Sequence, residues 1–100
     1  MPEGQSQSSP TSKRQKAHKA NALGLQQYER WEIEEAIQSF EEAIQLDPEE
    51  PDAHLNLARV CDRTGRPGEA LQHYEAGLAL TDHAEEREPA VVERVRQLRR

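Results

Sequence analysis

The side chains in this 100-residue sequence that could do chemistry are four histidines, one cysteine and several paired carboxylates. His54 and Cys61 are separated by two helical turns and so share one helix face. A metal ion needs three or four converging ligands, and His73 and His83 belong to other segments. Both residues are expected to pack in the core, Cys61 as a small buried apolar group. As a nucleophile, Cys61 would need a neighbouring base and an open pocket. The pairs Glu34–Glu35, Glu41–Glu42 and Glu49–Glu50 could exchange protons, but on amphipathic helices such pairs form the solvated face. The sequence has no Gly-rich phosphate loop, His-based triad or metal cluster. The expectation is a chain that is not an enzyme and carries neither cofactor nor metal.

The elements that must position these residues are helical. Apolar residues recur at helical spacing along the chain and at strand spacing nowhere. A first segment runs from about Ala17 to Glu29, with Ala20, Leu23, Gly24, Gln27 and Tyr28 on a broad face and Trp31 in the turn after it. The second, Ile33 to Leu46, carries Ala36, Ile37, Phe40, Ala43 and Ile44 as a stripe backed by glutamates. It stops at Asp47-Pro48, because proline disfavours helical geometry in the residue before it. A third begins at Pro51, where a missing N–H costs nothing, and ends at Gly65, a residue suited to a left-handed stop. Pro67 opens a fourth, with Ala70, Leu71, Tyr74, Gly77 and Leu78. Val91, Val92, Val95 and Leu98 mark a fifth. Met1 to Ser12 hold almost nothing apolar, so a disordered tail is expected there. The fold class is all-α.

The chain repeats itself after 34 residues. That shift places Leu23 on Leu57, Glu35 on Glu69, Ala36 on Ala70, Gln38 on Gln72, Glu41 on Glu75 and Leu46 on Leu80. Similar pairs reinforce it: Gly24 with Ala58, Phe40 with Tyr74, Ala43 with Gly77. A further shift puts Val91, Val92 and Val95 on Leu57, Ala58 and Cys61, so the last helix is in phase. Such a period means stacked units that cannot bury their faces alone. Repeat 1 spans 17–50, repeat 2 spans 51–84, and a capping helix covers about 85–99. Together they make one domain over 13–100. Two starts are open for the last helix: the 34-residue phase favours one near Glu85, with Pro89 just past the first turn, while a start at Glu88 makes Pro89 a good first residue of a shorter helix.

These residues resemble the tetratricopeptide repeat, whose pattern is W-x2-L-G-x2-Y followed by A, F, A and P at fixed spacing. The first copy has Ala20, Leu23, Gly24, Gln27, Ala36, Phe40, Ala43 and Pro48 at these places. The second has His54, Leu57, Ala58, Cys61, Ala70, Tyr74, Gly77 and Asp82. Departures are Ala20 and His54 for the large opening residue, Asp82 for the proline, and Trp31 where the family usually turns on glycine. The resemblance implies two helix–turn–helix repeats plus a C-terminal capping helix, a fragment of a right-handed α-solenoid. It also implies a concave groove, lined by the first helix of each repeat, that takes an extended peptide or a partner's helix. The groove positions would be His18, Asn21, Leu25, Tyr28 and Glu29, then Asp52, Leu55, Asn56, Arg59, Asp62 and Arg63. Of these, Asn21, Leu25, Tyr28, Leu55, Asn56, Arg59 and Arg63 are the candidate partner contacts. Leucines at 25 and 55 have little reason to be apolar on a solvated face. One subfamily clamps the C-terminal carboxylate of chaperones with Lys and Asn, then Asn, then Lys and Arg. Only Asn56 fits that set here. Asn21, Leu25, Glu86 and Ala90 replace the others, and that role is not expected.

Charge points the same way. The formal net charge is −6. The first twenty residues set Lys13, Arg14, Lys16 and Lys19 against the single acid Glu3. The stretch 21–84 is strongly acidic, and the C-terminal arginines suit a helix C-terminus. An acidic body argues against nucleic acid as the main ligand, since phosphate neutralisation supplies most of that affinity. No apolar run approaches a membrane span, and no signal-peptide core follows Met1. With one cysteine excluding an intrachain disulfide, a cytoplasmic protein-interaction scaffold is expected. Two alternatives stand beside it. The final helix could pair with a second copy, giving a structural homodimer, or the basic N-terminal segment could touch nucleic acid.

Overall fold

The computed structural model describes residues 10–100, with side chains from Ser12 onward. Most of the expected tail, Met1–Ser9, lies outside the described residues. The described chain is six helices: α1 (Pro10–Glu29), α2 (Ile33–Leu46), α3 (Pro51–Arg63), α4 (Pro67–Ala79), α5 (Ala84–Arg87) and α6 (Pro89–Leu98). No strand occurs among the described residues. The chain divides into two compact units between Pro48 and Glu49.

Unit 1 is the α1–α2 hairpin. Its second helix has its apolar residues on one stripe, so Ala36, Phe40 and Ala43 are buried, and Glu34 and Glu35 in its first turn favour the positive end of the helix dipole. Phe40, fully buried, lies against Gly24: a Cβ built at Gly24 would stand 2.5 Å from the ring. Only a glycine lets the backbone of α1 come so near the ring. Ser39, the one buried polar residue among those described, donates from Oγ to Gln27 Oε1 at 2.6 Å, which satisfies the hydroxyl across the hairpin. Helix α1 starts at Pro10, seven residues before Ala17, where the apolar pattern begins. From Ser12 to Lys16 the added turns bury little, and proline is well suited to opening a helix.

The turn after α1 explains Trp31. The Glu32 N–H donates to Gln27 O at 2.9 Å and the Trp31 N–H to Tyr28 O at 3.0 Å. This bonding pattern satisfies the last carbonyls of a helix and requires a left-handed residue between them. Trp31 is that residue, with φ +59°. The second hairpin repeats the device with Gly65 at φ +79°, Arg66 donating to Cys61 O at 2.8 Å.

Unit 2 holds α3 to α6. Pro51 and Pro67 each open a helix, and the Glu50 carboxylate accepts the Asp52 N–H at 3.4 Å. Helix α3 is buried almost all round, through Ala53, Leu55, Leu57, Ala58, Val60 and Cys61. Gly77 of α4 admits Leu55 as Gly24 admits Phe40, with the leucine Cδ2 2.5 Å from a built Cβ. The last segment departs from the single helix starting near Glu85 that the phase favours, and follows the alternative in which Pro89 opens a shorter helix. It breaks at Glu88 (φ −132°, ψ 58°) into α5 and α6, and Pro89 takes the first position of α6. Proline forces its predecessor out of the helical region, so the break falls one residue before it. Val91 and Val95 of α6 are buried.

Candidate functional site

The candidate partner contacts lie on the first helix of each unit. On α1, successive side chains turn by roughly 100°, so Ala17, Ala20 and Gly24 form the buried stripe. Asn21, Leu25 and Tyr28 share one flank of it. Leu25 is 40% exposed. Tyr28 is half-buried, with its ring edge-on to Trp31 at a centroid distance of 5.9 Å and an interplanar angle of 80°. Its hydroxyl is buried and meets no hydrogen-bond partner among the described residues.

On α3, Asp52, Asn56, Arg59 and Arg63 follow at i, i+4, i+7 and i+11 and form the strip that faces out of the unit. Arg59 Nη1 donates to Asn56 Oδ1 at 3.1 Å, and its Nη2 lies 3.8 Å from Glu88 Oε1. Leu55 is a correction. It was expected to be exposed on this face, but it is 2% exposed and packs on Gly77. One residue before Asn56, it is rotated off the outward strip, and the missing Cβ at Gly77 gives it a slot in the core. Its apolar character comes from packing within unit 2, and it is not available to a ligand.

Beside the α3 strip lies a polar centre that the sequence did not single out. Arg94 of α6 grips Asp62 with two parallel hydrogen bonds, Nε to Oδ2 and Nη2 to Oδ1, both 2.8 Å. Tyr74 of α4 donates its hydroxyl to Asp62 Oδ2 at 3.1 Å. The Arg94 hydrogen bond, against the opposing effect of burial, holds the Asp62 carboxyl below its ordinary range. Burial, then the Asp62 charge and the hydrogen bond to it, push the Tyr74 hydroxyl up to about 12. One carboxylate thereby joins three helices, α3, α4 and α6. Its partners lie 12 and 32 residues away, and nothing short-range in the sequence announces them.

The chemistry-bearing residues do not converge. Cys61 is buried, and its Sγ is 3.9 Å from Glu69 Oε1. No group of three or more His, Cys, Asp or Glu side chains among the described residues is placed to hold a metal ion. No helix among them is long and apolar enough to cross a membrane. The basic side chains Lys13, Arg14, Lys16 and Lys19 are exposed along α1. Of the apolar side chains expected to pair with a second copy, Val91 and Val95 are already buried, and Val92 and Leu98 are half-buried.

Helical hairpins with close-packed glycines, left-handed inter-helix turns and polar outward strips define a helical-repeat interaction fold. The tetratricopeptide repeat model matches residues 31–87, more than half of the chain, and the chain belongs to that family. No curated protein matches it. The family's usual role is protein binding, and its repeats are typically non-catalytic, so the chain is a protein-interaction module.

Proposed function

We propose that this module is non-catalytic and cytoplasmic, and that the first-helix face of each unit holds a partner's peptide or helix. Asn21, Leu25 and Tyr28 contribute from α1, and Asn56, Arg59 and Arg63 from α3. The observation that carries this reading is Leu25, an apolar side chain left 40% exposed beside an aromatic pair. Exposed apolar groups rimmed by polar ones are characteristic of interaction sites. On α3 the outward strip offers two arginines and an amide, groups that hydrogen-bond a peptide backbone or a carboxylate. The single buried thiol fits a reducing compartment.

The test is a peptide-display selection on the full chain, followed by affinities for Leu25→Ala and for Arg59→Ala with Arg63→Ala. Each selected peptide should lose binding on at least one set. If no peptide is enriched, or if those that are bind the variants as well as the parent, the reading fails.

A further inference from the structure

Helix α1 carries a second face, on the opposite flank of its buried stripe from Leu25 and Tyr28. Lys16, Lys19, Ala20 and Leu23 follow at i, i+3, i+4 and i+7, one continuous helical face. With Leu46 and Glu42 of α2 they line an open depression of about 480 Å³. Its floor is apolar, and Leu23 is 48% exposed. The repeat supplies its own control. Leu57, the residue that the 34-residue shift places on Leu23, is 1% exposed. The same leucine position is filled in one unit and open in the other.

The rim is what names an occupant. Lys16 and Lys19 correspond to Glu50 and Ala53 one repeat later, so the positive edge belongs to unit 1 alone. Lys13 continues it one turn toward the helix N-terminus. Glu42 stands on the α2 wall and repels a carboxylate there, so an acidic flank must run along α1. The depression is open, which suits a ridge laid along the surface better than an enclosed small molecule. We infer that this face docks an amphipathic helix of a partner protein, with its apolar stripe on Ala20, Leu23 and Leu46 and an acidic flank against Lys16 and Lys19. This goes beyond the first-helix reading, because it uses the other side of α1 and different residues.

The test titrates the labelled full chain with a synthetic amphipathic helical peptide bearing a leucine stripe flanked by glutamates. A counterpart with lysines in place of the glutamates is the control. The glutamate peptide should bind saturably, shift the Leu23 and Leu46 methyl resonances, and weaken as salt rises. Leu23→Ala should weaken it about ten-fold, given the methyl groups taken out of the contact. Lys16→Glu with Lys19→Glu should weaken it by a similar factor, about ten-fold, through two reversed ion pairs. Leu23 is half-exposed and both lysines are exposed, so these variants keep the fold, and unchanged circular dichroism verifies that. Leu25→Ala should leave this binding unchanged, which separates a failure here from a failure of the first-helix reading. Equal binding of the lysine peptide overturns the inference, as does no binding of either. So does self-association of the free chain that Leu23→Ala abolishes, which gives the face to a second copy. So does oligonucleotide binding that needs the lysines and ignores Leu23.

Discussion

Four glycines, each changed to alanine, should give four different outcomes, because the added methyl group meets a different obstacle at each. At Gly24 the new Cβ would lie 2.5, 2.7 and 2.9 Å from three carbons of the Phe40 ring, which is fully buried. Ordinary carbon contacts are about 3.5–4.0 Å, so a rigid ring with nowhere to go must shift by about 1 Å. Overpacking of this kind costs about 1–3 kcal/mol, against a helix-propensity gain of about 1 kcal/mol for removing a glycine. The net expectation is a loss of up to about 2 kcal/mol. Gly77→Ala meets Leu55 at 2.5 Å and the Pro51 carbonyl oxygen at 3.3 Å. Leucine adapts better than a ring, so the loss should be smaller, about 1 kcal/mol. At Gly65 nothing lies within 4 Å, yet φ is +79°. Left-handed backbone costs a residue with a Cβ about 1–2 kcal/mol, so this variant should be destabilised with no clash at all. Gly68, in the first turn of α4, has open space and ordinary φ. There alanine should stabilise by about 0.4–1 kcal/mol, mainly by restricting the unfolded chain. Urea unfolding followed by circular dichroism reads all four. A second layer isolates the clash: Gly24→Ala with Phe40→Leu should lose less than the sum of the two single losses. Additive losses at Gly24 and Phe40, or a Gly68→Ala as damaging as Gly24→Ala, would refute this reasoning.

The polar centre of unit 2 predicts behaviour at both ends of the pH scale. Because the Asp62 pKa is lowered from 3.8, its contribution to stability is present above that value and is lost as pH falls through the folded-state pKa. Arg94→Gln should therefore lower the urea midpoint at neutral pH and have less effect in acid; an equal effect at both would contradict the role given to Asp62. Tyr74 behaves oppositely. Its pKa is raised from 10.0 to about 12, so its contribution is full below 10.0 and is lost as pH rises through about 12. A Tyr28→Phe background leaves Tyr74 as the only tyrosine, and tyrosinate absorbance then reads its titration directly. An ordinary midpoint near 10.0 would rule out the buried hydrogen bond. At Trp31, glycine and alanine remove the same contact with Tyr28, but only glycine relieves the left-handed backbone at φ +59°. Trp31→Gly should exceed Trp31→Ala in stability by about 1 kcal/mol by thermal denaturation, and equal stabilities would mean that the turn is unstrained.

Much of the fold is legible in the sequence because its punctuation is chemical. Pro48, Pro51, Gly65 and Pro67 bound helices for local reasons, and α2, α3 and α4 begin where the spacing predicts. At Pro89 the 34-residue phase and the local rule disagree, and the helix breaks where proline requires. The sites were less legible. A repeat motif states which side chains are able to pack, not whether anything covers them. Leu23 and Leu57 fill the same motif position, yet are 48% and 1% exposed. Leu55 misleads in the opposite sense: an outward position in the motif became an inward one because Gly77 opened a slot beneath it. The Asp62–Arg94 pair spans 32 residues and shows in the sequence only as two opposite charges among many.

The two units share a repeat but not a means of support, and that bears on where a partner docks. The shift that aligns Phe40 with Tyr74 also aligns Tyr28 with Asp62. Unit 2 therefore has a hydroxyl–carboxylate pair, completed by Arg94, where unit 1 has two aromatic side chains. Unit 2 engages several of its polar groups internally, through Asp62–Arg94, Arg59–Glu88 and Arg99–Glu75. Among large apolar side chains of the described residues it exposes Leu80 alone, whereas unit 1 exposes Leu23, Leu25 and Trp31. Trp31 holds a left-handed backbone at a cost of about 1–2 kcal/mol, which an edge-to-face contact with Tyr28 worth about 0.5–1.5 kcal/mol largely offsets. The folded unit thus gains little from a tryptophan that glycine would replace without strain. An exposed aromatic residue kept at no net benefit to folding is a natural anchor for binding. Energetic contact with partners is therefore expected to concentrate on unit 1.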